Sequence, residues 1–316
     1  MSGYITRRLL QAIPTLVGIA ILSFLIVHAV PGGPAAAMLG PRSTPARIAA
    51  ANREFGLDKP LPVQFGLWFW QLLHLNLGTS YFFNQSVASL IAVNLPRTLA
   101  IVGIGVTFAH VIAIAMGSAQ SYRKDSIFDQ VVMVLAYFFY SMPTFWLGII
   151  LIVIFSIGLG WFPTGGISNA TETSAGFGVW ASHIILPVTT IVIGTVAGWG
   201  RYMRAAMNEI LIQDYIRTAR AKGLGEFVVV FKHALRNSLL PLITLFGLSL
   251  PSLFGGALYV EVVFNYPGLG LLFWDGAVQR DYPVVLGGVI VIGAVTILGN
   301  LIADVLYAVV DPRIQY

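Results

Sequence analysis

The sequence predicts an all-α polytopic membrane protein with six transmembrane helices, and three observations carry that expectation. Hydrophobic residues make up 57% of the 316 and charged residues 10%, with a mean hydropathy of +0.82. A soluble domain carries roughly 25% charged residues, so this chain lacks the charge to cover a water-facing surface. Six apolar runs reach the roughly 20 residues that a spanning helix needs. Lysine and arginine gather in alternate connections, the pattern of retention on the cytoplasmic side.

The first run, residues 9–30, follows Arg7 and Arg8 and ends at Pro31-Gly32-Gly33-Pro34. It is longer than the apolar region of a secretory signal and lacks a small-x-small cleavage site, so it reads as a retained span. Residues 1–30 are then a cytoplasmic N-terminus with transmembrane helix 1. Residues 31–96 read as an extracytoplasmic insertion, too long and too punctuated by Pro and Gly for a simple connection. Within it a helical pattern covers 45–55, and an apolar window covers 65–77 with aromatics at Trp68 and Trp70. Gln71, His74 and Asn76 interrupt that window, so it suits an interfacial or extramembrane helix.

The remaining core, residues 97–316, holds the other five runs, at 98–120, 131–158, 184–206, 239–263 and 284–309. The third span exceeds what a bilayer requires, which predicts a tilt or a break at Ser141-Met142-Pro143. Arg7 and Arg8 precede the first span, and Arg123 and Lys124 separate the second from the third. Arg201, Arg204, Arg217, Arg220, Lys222, Lys232 and Arg236 separate the fourth from the fifth. The short intervening connections carry no lysine or arginine at 159–183 and only Arg280 at 264–283; residues 31–96 carry several, but a segment of that length translocates largely regardless of charge. Both termini are therefore expected in the cytoplasm.

The loop at 207–241 is the most informative segment. Span four continues as an amphipathic stretch over 201–212, with Arg204 and Glu209 at polar positions. Gln213-Asp214 offers an N-cap for a short helix at 215–222, on which Arg217 and Arg220, three apart, share a face. Ala219 leaves room for close approach. Gly223 suits a left-handed C-terminal cap, with Lys222 at the negative helix end. A second helix is expected over 226–240, with Val228, Phe231 and Leu235 along an apolar stripe. Charge and pattern alone fit two occupants equally: a soluble motor protein, or a surface of anionic lipid.

Asp214-Tyr215-Ile216-Arg217-Thr218-Ala219-Arg220-Ala221-Lys222-Gly223-Leu224 resembles the coupling-loop signature of bacterial ATP-binding-cassette import permeases. Arg217-Thr218-Ala219 stands where the general signature has Glu-Ala-Ala, Gly223 matches its glycine, and His233-Ala234-Leu235-Arg236 replaces Ile-x-Leu-Pro. This form is similar to the B-type permease subunit of the dipeptide, oligopeptide and nickel branch. Similarity recurs at Gly56-Leu57-Asp58-Lys59-Pro60-Leu61-Pro62, Leu75-Asn76-Leu77-Gly78-Thr79-Ser80 and Ser141-Met142-Pro143-Thr144-Phe145-Trp146-Leu147-Gly148. It continues at Tyr266-Pro267-Gly268-Leu269-Gly270, Arg280-Asp281-Tyr282-Pro283 and Asp311-Pro312-Arg313.

The resemblance implies a type I ABC importer permease fold in the bacterial cytoplasmic (inner) membrane. It implies a second, C-type permease, two ATP-binding subunits and an extracytoplasmic substrate-binding protein as partners, beside membrane lipid and without nucleic acid. Di- or oligopeptides are the expected substrates, with nickel, glutathione or haem as alternatives. Coupling to the ATPase falls to Arg217, Thr218, Ala219, Arg220, Ala221, Lys222, Gly223 and Leu224. Ser141, Met142, Pro143 and Glu261 are the candidates for a gate or pathway.

No ATPase site is expected in this subunit. Its four lysines precede Pro60, Asp125, Gly223 and His233, so the Gly-Lys-Ser/Thr of a phosphate-cradling loop does not occur. ATP and Mg would be bound by partner subunits, with no cofactor here. The five histidines show no metal-ligand spacing, cysteine is absent, and no Gly-x-Ser-x-Gly occurs. Intramembrane ionisable groups are functional candidates by default. His110 reads as a packing residue, and Asp304, close to the end of the last span, as the partner of a basic loop residue. A self-contained secondary transporter is the alternative of another class, and would need internal repeats or paired mid-membrane charges.

Overall fold

The computed structural model describes the backbone of residues 2–29, 33–40, 43–54, 56–167 and 176–310. It describes their side chains except at 2–5, 9, 37–38, 54, 240–241, 243–254 and 303–310. Pro31 and Gly32 of the first turn, Asp311-Pro312-Arg313 and the side chain of Asp304 lie outside the described residues.

The chain opens with α1 (Ser2–His28), followed by three shorter helices, α2 (Gly33–Leu39), α3 (Pro45–Glu54) and α4 (Leu61–Leu73). The long α5 (Val87–Tyr122) precedes α6 (Ile127–Tyr140) and α7 (Thr144–Leu151), which widens into a π-helix over Ile152–Gly158. After α8 (Phe177–Leu211) come α9 (Asp214–Ala221), the single turn α10 (Glu226–Val228) and a second π-helix, Val229–Ala234. That turn runs without a gap into α11 (Leu235–Val263), and α12 (Leu269–Val278) and α13 (Tyr282–Val310) complete the order.

Among the described residues, four helices are long and apolar enough to cross a membrane: Thr6–His28, Val87–Tyr122, Phe177–Leu211 and Tyr282–Ile302. The pair Ile127–Tyr140 and Thr144–Gly158, bent by 105°, makes a fifth if counted as one span. The expected break thus falls at Ser141-Met142-Pro143. Pro143 lacks the N–H that would continue α6 and disfavours helical geometry at Met142. α3 forms where the 45–55 pattern placed it, and α4 begins and ends four residues earlier than the 65–77 window. α12 occupies what read as a loop; at ten residues it is too short to register as a span.

The chain divides into two compact units. Met1–Thr98 with Pro267–Leu298 forms one. There Phe24, 3% exposed, meets the rings of Phe65 and Trp68, fastening α1 to α4. Asp281 is the polar centre of this unit. Its Oδ2 accepts from the Ser80 hydroxyl at 2.5 Å and from Phe82 N–H at 3.0 Å, and its backbone N–H donates to Gly276 O at 2.7 Å. Two segments that carried the resemblance, ending at Ser80 and beginning at Arg280, therefore meet at one buried carboxylate.

The other unit is Leu99–Tyr266 with Gly299–Tyr316, and α8 is its centre, packed by α6, α7 and α11. Ile101, Val106, Ala109 and Ala113 of α5 share a core with Ile191, Trp199, Val260 and Phe264. A Cβ on Gly117 would stand 2.6 Å from Met203 Cβ and 2.8 Å from Gly200 O, so glycine is what lets α5 and α8 touch. His110 sits in this packing: its Nδ1 donates to Val106 O at 3.1 Å and its ring lies 4.0 Å from that of Trp199.

Candidate functional site: the basic loop and the helix break

The loop is built on α9, whose two faces have different neighbours. Ile216, fully buried, and Ala219, 7% exposed, pack with Met203 and Met207 of α8 and with Val229 and Val230 of the π-helix. The close approach that Ala219 permits is therefore made by its own chain. Tyr215, Arg217, Thr218, Ala221 and Lys222 are exposed on the other side.

The helix begins one residue earlier than its N-cap pattern suggested. Gln213 is the cap and makes no side-chain bond, while Asp214 is the first helical residue. Its carboxylate favours the positive helix end and lies 3.4 Å from Arg217, both side chains largely in solvent. The C-terminal end is closed by a full Schellman arrangement. Gly223, at φ +81°, donates its N–H to Arg220 O at 2.9 Å, and Leu224 N–H donates to Ala219 O at 3.4 Å. No atom lies within 4 Å of where a Cβ on Gly223 would sit, so the demand for glycine comes from the backbone angle alone.

Arg220 turns away from Arg217. Its Nε and Nη2 donate to both Glu226 carboxylate oxygens, at 3.0 and 2.6 Å, and its Nη1 donates to Leu211 O at 3.3 Å. One guanidinium thus joins the end of α8, α9 and α10. The hydrogen bond from Arg220 holds the Glu226 carboxyl below the usual carboxylate range, against the opposing effect of burial. Asn237 Nδ2 adds a second strut, donating to the Tyr215 hydroxyl at 2.8 Å.

After α10 the π-helix changes the register. The buried residues are Val229, Val230 and Ala234, while Val228 is 37% exposed and Phe231 and Leu235 are half-buried. The sequence stripe assumed 3.6 residues per turn, and the wider i→i+5 turn rotates a different face inward. The Phe227 and Phe231 rings lie 4.6 Å apart, tilted by 36°, beside Tyr122.

Two partners escaped the sequence reading. Glu226 pairs across the glycine turn, where a helix-face rule does not reach. Asp129 is buried at the start of α6 and receives Nε and Nη2 of Arg204 at 2.7 and 2.6 Å, with Gln120 Nε2 at 3.1 Å. Ser126, whose hydroxyl accepts from Asp129 N–H at 3.3 Å, gives the local signal that could have found it, a Ser-x-x-Asp helix start.

At the helix break the Ser141 hydroxyl donates to Tyr137 O at 2.9 Å, and Ser141 and Pro143 are exposed. Met142 and Thr144 line a cavity of about 220 Å³ with Gly194 and Thr195 of α8 and Gly256, Ala257 and Val260 of α11. Glu261 is fully buried next to Val260 but is not part of that wall. The structure brings Met142 to this cavity and keeps the α9 residues apart from it, on the basic loop.

Residues 109–316 match the family described as binding-protein-dependent transport system inner membrane component, and residues 1–102 match its N-terminal companion. The oligopeptide transport system permease protein AppB of Bacillus subtilis (strain 168) is 43% identical over 319 residues, covering all of both chains. The dipeptide transport system permease protein DppB of Alkalihalophilus pseudofirmus is 38% identical over 335 residues, again across the whole of both. A chain of the MetNI methionine ABC transporter, in a structure of its inward-facing conformations, shares the fold. Its TM-score is 0.58 at 19% identity, over 70% of this chain and 96% of that one.

Proposed function

Because the chain belongs to the binding-protein-dependent transport system inner membrane component family, we propose that it carries di- or oligopeptides inward across the bacterial cytoplasmic membrane. ATP hydrolysed on separate subunits drives it. α9 is the coupling helix. It presents Tyr215, Arg217, Thr218 and Lys222 to the motor, while Ile216 and Ala219 seal its inner face onto α8 and the π-helix.

One observation carries this reading: α9 is joined to α8 and to the π-helix by its buried face, Ile216 and Ala219, as well as by Arg220. Arg220 bridges it to Glu226 and to the last turn of α8, and the chain then continues as helix into α11. A displacement of α9 therefore displaces α8 and α11, which line the cavity at the helix break. The basic loop lies in the cytoplasm together with both termini, and α11, at 29 residues, supplies the sixth span. A C-type permease, two ATP-binding subunits that hold ATP and Mg, and an extracytoplasmic binding protein complete the assembly. This subunit holds no cofactor and hydrolyses no ATP.

The test is uptake of a labelled dipeptide into vesicles that hold the chain with those partners. Uptake should require ATP on the side of the ATP-binding subunits. Uptake by the chain alone, driven by an ion gradient, would replace this reading with a secondary transporter.

A further inference from the structure

Beside the helix break lies a second hollow, of about 320 Å³, walled by α6 and the following turns of α8. Tyr140 lines both hollows. Gly194 belongs to the first, Gly198, Arg201 and Ala205 to the second. Their spacing of four, three and four puts these α8 residues along one helix face. A Cβ on Gly194 would meet nothing within 4 Å, and one on Gly198 would meet only the Tyr140 ring, at 3.6 Å. The two hollows are thus neighbouring stretches of one groove, floored by glycine, that runs from the break toward the basic loop. Their volumes suit a small molecule.

Arg201 stands at the loop end of this groove. Its guanidinium lies 4.2 Å from the Tyr137 ring centroid and 4.9 Å from that of Tyr140. Both rings come from the last turn of α6, so the guanidinium is held against that helix by its π contacts. Among the described residues no carboxylate or carbonyl pairs with it. Its neighbour Arg204, one turn on, has its charge cancelled by Asp129. A guanidinium without a carboxylate partner at the cytoplasmic end of a spanning helix is open to an anion, and the planar fork of arginine is built for an oxyanion taken in two parallel hydrogen bonds.

We propose that Arg201 binds the terminal carboxylate of the peptide in transit, with the peptide's side chains against the apolar wall of Met142, Ile191 and Val260. This rests on the peptide reading above. The groove itself favours a substrate over a lipid headgroup. A phosphate at the membrane surface needs only the Arg201 end, whereas the hollow continues between α8 and α11 to the break.

The experiment titrates the assembled complex in detergent with Ala-Ala and with its C-terminal amide. The wild type should bind the acid about 10-fold or more tightly than the amide. R201Q should bind both alike, and R201K should keep part of the preference. Equal binding by the wild type, or an undiminished preference in R201Q, overturns the proposal. So does displacement of neither peptide but binding of dihexanoyl phosphatidylglycerol at Arg201, which would assign the oxyanion to a lipid. Co-purification with the partner subunits shows that the variants are folded; if R201Q fails to assemble, the acid–amide comparison on the wild type and R201K decides. Uptake measured alongside separates the two readings. An Arg201-dependent carboxylate preference without uptake removes the transport reading and keeps the site, and uptake without the preference does the reverse.

Discussion

Replacing Gly223 with valine changes one backbone angle and leaves the surrounding space as it is. Nothing lies within 4 Å of the new Cβ, so any effect comes from φ +81°. An L-residue held in the left-handed region costs about 1–2 kcal/mol, and a β-branched one lies at the upper end or beyond. The loop can carry that strain, or it can give up the bonds from Gly223 N–H and Leu224 N–H that close α9, worth about 0.5–1.5 kcal/mol each. Either route costs about 2 kcal/mol, which lowers the population of the docking geometry about 30-fold. α9 is exposed on one side, so the variant should still assemble. Reconstituted with its partners, Gly223→Val should lose most dipeptide uptake and most substrate-stimulated ATP hydrolysis. Gly225 is the matched control: it too has open space around it, but sits at φ −64° as the N-cap of α10. Gly225→Ser should keep activity within about twofold, serine being a favoured N-cap. Wild-type coupling in Gly223→Val, or equal damage from Gly225→Ser, would refute the reasoning.

Three further outcomes follow from the geometry. Asp129→Asn strands the Arg204 guanidinium, whose carboxylate partner is 1% exposed. Thermal unfolding of the complex in detergent should show a loss of about 3–5 kcal/mol, and the double change Asp129→Leu with Arg204→Met should recover much of it. Gly165→Ala would put a Cβ 1.8 Å from Phe264 O, next to the bond that Gly166 N–H donates to that oxygen at 2.8 Å. The 161–166 turn must move, at a cost of about 1–3 kcal/mol, and its amides should exchange faster. The Arg220–Glu226 bridge has a signed pH dependence. The Glu226 pKa is lowered on folding, so the contribution is complete above the unfolded value, roughly 4.3, and disappears as pH falls through the folded one. Because the pair is half exposed it is worth only about 0.2–1 kcal/mol. Protease protection of the loop should be flat from about pH 7 to 5 and fall below about pH 4, and Glu226→Gln should abolish that fall.

What the sequence showed, it showed where one residue or one run admits a single physical answer. A run of about 20 apolar residues has few solutions other than a spanning helix. Pro143 cannot continue α6, and Gly223 after Lys222 suits a left-handed cap; both appear where expected. The features that escaped depend on distance or on turn geometry. Asp129 and Arg204 are 75 residues apart, and each looked like an ordinary charge beside a basic loop. Arg220 was paired by helix spacing with Arg217, whereas its carboxylate lies beyond the glycine turn. The π-helix moved burial from Val228 to Val229 and Val230, because no composition rule announces one extra residue in a turn. Arg201 reads in the sequence as one of several loop cations, because its contacts with the Tyr137 and Tyr140 rings span more than 60 residues of chain.

The buried carboxylate of Asp281 also sets a clock on biosynthesis. Ser80, whose hydroxyl it accepts, lies 201 residues earlier in the chain. A ribosome adding roughly 5–20 residues per second reaches Asp281 about 10–40 s after Ser80. For that interval the Ser80 hydroxyl and the Phe82 N–H have no Asp281 to receive them, and the 78–86 turn must be kept by its own short bonds. A nascent chain stalled before Asp281 would therefore show this turn open to protease, and release of the stall would close it.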